Sequence, residues 1–137
     1  VNTATNINRE TWLLQLAVPM VAAIKAAGFT VNPFRVSVGF PKGGKGGRGK
    51  TIGQCWPSVA SGDKTREIFI HPELETPLAV ATTLLHELCH AAQDDGVGHK
   101  GGFVVLCKAL GFMKPWTQTP ANGELTQLIG KWLDQLP

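Results

Sequence analysis

The segment TPLAVATTLLHELCHAA, residues 76–92, carries a helix-start signal and a His-Glu-x-x-His motif in one stretch. Thr76 can cap free backbone amides, and Pro77 at the first helical position gives up only an amide that would lack a partner anyway. In a helix of about 3.6 residues per turn, the step from His86 to His90 points both imidazoles the same way. Glu87 then lies about 100° around the helix from His86, near enough to take a proton from water on a metal without being a ligand. Ala81, Leu84, Leu85, Leu88 and Ala92 fall roughly opposite the histidines, so one face can be buried while the other is offered to a metal. The spacing predicts a helix that stops by Gly96.

Two histidines are half of such a site, because a catalytic zinc takes three protein ligands and keeps a fourth position for water. His99 is the candidate third donor: it follows His90 across a glycine-bounded turn that leaves room for the chain to come back over the helix. A metzincin arrangement is excluded, since it needs glycine where Gln93 stands and histidine where Gly96 stands. Asp94 and Asp95 are rival donors, or else a solvated helix end. Cys89 lies about 60° from His86 and either competes as a ligand or, like Cys55 and Cys107, is a small core residue.

With 137 residues, 43% of them hydrophobic and 17% charged, the chain is sized for a single domain over 1–137 with a real core. Three cysteines without a CxxC pair suggest neither a disulfide framework nor a cysteine zinc knuckle. A reducing, cytoplasmic setting is expected. The apolar run Trp12 to Ile24 is interrupted by Gln15 and Pro19 and is too short to span a bilayer, so no membrane partner is expected.

Upstream of the motif, Leu13, Leu16, Ala17, Met20 and Ile24 follow helical spacing, with Asn6 or Asn8 as cap and Gly28 as stop; Pro19 should kink or break this helix. Phe34 to Phe40, Thr51 to Trp56 and Arg66 to His71 read as strands, the first two as arms of a long hairpin. Short connections predict a three-stranded antiparallel sheet, and Ser61-Gly62-Asp63 reads as a turn. Two further helices are expected, Phe103 to Leu110 ended by Gly111, and Glu124 to Leu136 with Leu125, Leu128, Ile129, Trp132 and Leu133 on its apolar side. The fold class is therefore α+β.

The net charge of +3 is concentrated in one glycine-rich loop holding Lys42, Lys45, Arg48 and Lys50. Gly44 to Thr51 formally satisfies G-x-x-x-x-G-K-[ST], but a phosphate loop must open a helix and the chain from Thr51 onward reads as a strand. What remains is a solvated hairpin tip or a contact between these cations and nucleic-acid phosphates.

HELCHAA, GHKGGF and ALGF, together with VSVGFP and IGQCW upstream, resemble the SprT-like zinc metallopeptidases, particularly the short forms of phage and bacterial genomes. The resemblance implies a minimal, gluzincin-like zincin in which a small sheet lies beside the active-site helix. It also implies zinc on His86, His90 and His99, with Glu87 as general base for peptide hydrolysis. Eukaryotic relatives cleave proteins crosslinked to DNA, so a DNA-associated protein substrate is an expectation. Lys100 departs from the glycine that many members have there, and the cysteine-rich ribbon of some members is missing. With no Tyr in the chain, the oxyanion donor is expected to be His71 or a backbone amide, and the strand leading to His71 to flank the cleft and pair with an extended substrate. A monomer is expected. The competing reading is a nucleic-acid-associated binding protein with a structural or silent zinc; hydrolysis of a non-peptide amide would use the same residues.

Overall fold

A computed structural model describes residues 9–38, 53–56, 65–71 and 76–136. The basic loop with Lys42, Lys45, Arg48 and Lys50, the Gly44 to Thr51 pattern, the Asn6 or Asn8 cap and the Ser61-Gly62-Asp63 turn lie outside these residues. In chain order the described elements are α1 (Arg9–Ala26), β1 (Phe34–Val38), β2 (Gly53–Trp56), β3 (Arg66–Ile70), α2 (Pro77–Ala91), α3 (Gly102–Leu110) and α4 (Gly123–Asp134). The architecture is α+β, with these four helices around a small mixed sheet.

The antiparallel sheet expected from the sequence does not form. Strand order is β1-β3-β2, with β1 parallel to β3 and β2 antiparallel to it, so β1 and β2 are not the two arms of a hairpin. Alternating side chains report which face of a strand is buried but not which neighbour it takes. A parallel pair needs a crossover between its strands, and here the chain from Val38 to Arg66 supplies one long enough to include β2 itself. β3 is accordingly central: Arg66, Ile68 and Ile70 are buried along it.

α2 starts where the sequence places it. Thr76 is extended at φ −84° and ψ 140°, and its hydroxyl accepts the Ala79 amide at 3.1 Å; such a cap is worth about 1 kcal/mol. The helix packs against α1, β2, β3, α3 and α4. Ala81, Leu84, Leu85 and Leu88 are fully buried on its far face, each leucine contributing about 1.5–3 kcal/mol by leaving water. Ala92, at the C-cap, is only half-buried.

α1 runs through Pro19 as a continuous helix. The proline removes the amide that would bond to the Gln15 carbonyl, and Gln15 is exposed, so water can meet that carbonyl. Its five expected core residues, from Leu13 to Ile24, are buried. On α4, Leu125, Ile129 and Trp132 are buried, whereas Leu128 is 38% exposed and Leu133 is half-buried.

Two polar anchors fix the end of α2. Asn32 donates its side-chain amide to the Ala91 carbonyl at 2.8 Å, and buried Arg66 donates to the Gln93 carbonyl at 2.7 Å while pairing with Asp95 at 3.0 Å. The chain leaves this anchored end through Gly96 and Gly98, both at positive φ (89° and 68°), a region open to glycine at no steric cost. That turn carries His99 back over the helix.

Candidate metal centre

His86, His90 and His99 each offer one ring nitrogen to a common point, all within 4.8 Å of one another. The Nε2 atoms of His90 and His99 are 3.1 Å apart. Two nitrogens on a tetrahedral zinc, each at about 2.0–2.1 Å, stand about 3.3–3.4 Å apart, so the donor set fits a small divalent cation. Asp94 and Asp95 are outside this group, and Asp95 is engaged by Arg66. Cys89 is also outside it: fully buried, it shares a side-chain hydrogen bond with Cys107, and burial holds its thiol well above the ordinary range. Lys100 has an ordinary negative φ, so the backbone after His99 does not call for glycine there.

Phe103, at the start of α3 and fully buried, is the floor of the cluster. Its ring stacks on His90 at 4.2 Å and 18°, and meets His86 and His99 edge-on at 5.2 Å each. Burial disfavours the charged form of each imidazole. Burial, with the neighbouring His99, pushes His86 down to about 4. Burial, with His86 and His99, pushes His90 down to about 3. Burial lowers His99 as well.

Glu87 is 4% exposed, and burial pushes its carboxyl up to about 8. Its Oε2 lies 3.9 Å from His86 Nε2, but with a neutral imidazole facing a protonated carboxyl the two are not an ion pair at neutral pH in the metal-free protein. The glutamate is confined from the other side by β2. A Cβ on Gly53 would stand 2.5 Å from Thr83 Cγ2 and 3.0 Å from Glu87 Oε2, so only glycine lets the strand approach this closely. Cys55, two residues along β2, also lines the site, its thiol pushed up to about 12 by burial and then by Glu87.

The cluster opens into a cleft of about 1140 Å³ walled by β2, the first turns of α2, the turn with His99 and the segment 117–121. His71, buried just beyond β3, is not among the lining residues. β2, an edge strand among the described residues, borders the cleft through Gly53, Gln54 and Cys55, while β3, paired on both sides, contributes only Arg66 to its lining. A residue invisible to sequence reasoning completes the site: Thr119, 1% exposed, whose Oγ1 is 2.7 Å from His86 Nδ1.

Fold and site together define an α+β chain whose three-histidine group can hold a metal ion. No protein-family model, curated protein or solved structure matches this chain. No helix among the described residues is long and apolar enough to cross a membrane.

Proposed function

We propose that this chain is a zinc-dependent metallopeptidase of the SprT-like kind, hydrolysing peptide bonds in protein substrates. The observation that carries the proposal is the convergence of three neutral imidazoles beside one buried carboxyl at the bottom of an open cleft. His86, His90 and His99 would hold the cation, and no fourth His, Cys, Asp or Glu joins them among the described residues, which favours an open catalytic site over a closed structural one. A zinc ion held there would supply Lewis acidity, lowering the pKa of a water and polarising a carbonyl.

Glu87 does the proton work. A nearby cation favours the ionised form of a carboxyl, so the group that burial keeps protonated becomes a base when the site is loaded. It takes the proton of the attacking water and returns it to the leaving amine. Gly53 lets β2 pass close against the Glu87 side chain. Gly53, Gln54 and Cys55 of β2 border the cleft, where an extended peptide would lie. His71, away from the cleft lining, is given no part in oxyanion binding.

The test compares cleavage of an unfolded protein and of a DNA-bound protein by wild type and Glu87→Gln, with zinc content measured in both. Loss of cleavage with zinc retained supports the proposal. Equal cleavage by the two proteins refutes the assignment of Glu87, and a zinc-loaded wild type that cleaves neither protein substrate refutes the substrate class.

A further inference from the structure

We propose that Thr119 is a positioning residue for the metal centre: its Oγ1 accepts the Nδ1 proton of His86 and so leaves Nε2 of that ring to bind the cation. The inference rests on the reading that the three imidazoles hold a metal, and it names the group that makes one of them competent to do so.

The contact is short, 2.7 Å, and buried at both ends. A neutral imidazole carries one proton, and a ring that binds metal through Nε2 must carry it on Nδ1. That proton needs an acceptor, because a buried donor left without one is costly. The Thr119 hydroxyl oxygen is placed to serve.

Thr119 is held there by its own segment. The isolated bridge between Phe112 and Ala121 closes the base, the Met113 amide donates to the Pro120 carbonyl at 2.8 Å, and the Asn122 amide donates to the Gly111 carbonyl at 2.8 Å. Within this closed segment the Thr119 amide donates to the Pro115 carbonyl at 2.7 Å. Thr119 is also the one non-glycine residue at positive φ among those described, at 45°. For a β-branched side chain this is a true outlier. Backbone outliers persist where surrounding structure over-determines them, and they cluster at functional sites. Glycine would satisfy that backbone without strain, but it would bring no hydroxyl to His86.

The experiment measures zinc affinity by chelator competition in wild type, Thr119→Val, Thr119→Ser and Thr119→Gly, and follows exchange of the His86 Nδ1 proton by NMR in the zinc-loaded proteins. Removing a partner of a metal-bound histidine costs about 10–100-fold in metal affinity. That loss is expected for Val and for Gly, with faster exchange of the Nδ1 proton, while Ser restores both. The Gly variant relieves the backbone and guards against a Val variant that fails to fold. Val and Gly variants that bind zinc as tightly as wild type would overturn the role of Thr119. A wild type that binds no zinc would overturn the metal reading beneath it.

Discussion

His90 Nε2 and His99 Nε2 lie 3.1 Å apart, although one sits in the last turn of α2 and the other beyond a turn anchored by Asn32 and Arg66 on elements distant in sequence. Two neutral imidazoles can meet at this distance through a single hydrogen bond. The third nitrogen, from His86, turns the pair into a donor set.

His99→Ala is expected to lower zinc affinity by more than the 10–100-fold typical of losing a mere supporting partner, because it removes a ligand. His99 is exposed, so the metal-free fold should melt within a few degrees of wild type. The variant should also raise the pKa of His90, since the charge of His99 is one of the forces holding it down. Zinc titration and NMR pH titration of His90 check the two effects; unchanged zinc affinity would remove His99 from the site.

Stability of the metal-free protein should peak near pH 6.5. His86 and His90 titrate at about 4 and about 3 when folded against 6.5 for the free group. Between those values the unfolded chain binds more protons, so stability is lost as pH falls below about 6.5. Glu87 acts in the opposite sense: its folded value of about 8 lies above its ordinary 4.5, so the folded state binds the extra proton and stability declines as pH rises through that range. With two histidines opposing one glutamate, the slopes cancel near pH 6.5. Each limb amounts to a few kcal/mol at about 1.36 kcal/mol per pKa unit. Urea denaturation in chelator at a series of pH values checks the shape; Glu87→Gln should remove the alkaline decline and steepen the acid limb between about pH 4.5 and 6.5, where the glutamate no longer opposes the histidines.

Zinc binding at pH 7 should release about one proton, and that proton should come from Glu87. The histidines are already neutral at that pH, whereas the glutamate is protonated until a cation arrives. Calorimetry in buffers of different ionisation enthalpy counts the proton. Glu87→Gln should bind zinc with almost no release.

Gly53→Ala is expected to destabilise the chain by about 1–3 kcal/mol, the usual cost of overpacking, and to displace Glu87. The new methyl would stand 2.5 Å from Thr83 Cγ2. Adding Thr83→Ser removes that methyl and should recover part of the loss, a coupling that a double-mutant cycle measures directly. Simple additivity of the two changes would contradict the close approach.

The α2 helix was legible because its signals are local: Thr76 and Pro77 mark its start, and the periodicity of Leu84, Leu85 and Leu88 marks its buried face. His99 was legible because glycines announce the turn that returns it. The parallel pairing of β1 with β3 was not, since alternation in Phe34 to Val38 is the same for either neighbour. Thr119 was hidden for another reason. It meets His86 from 33 residues away in a turn closed by backbone bonds, and nothing in Thr117-Gln118-Thr119-Pro120 marks one hydroxyl as different from the other. Phe103 reads in sequence as the first apolar residue of α3, and only the folded chain brings its ring under the three imidazoles.

X-ray absorption at the zinc edge of the loaded protein tests most directly whether this is an open catalytic site. Three imidazole nitrogens and one oxygen, all at about 2.0–2.2 Å, are expected for His86, His90 and His99 with water in the fourth position. A sulfur ligand at about 2.3 Å, or closure by a fourth protein donor, would mean a structural site and would contradict peptidase chemistry at this centre.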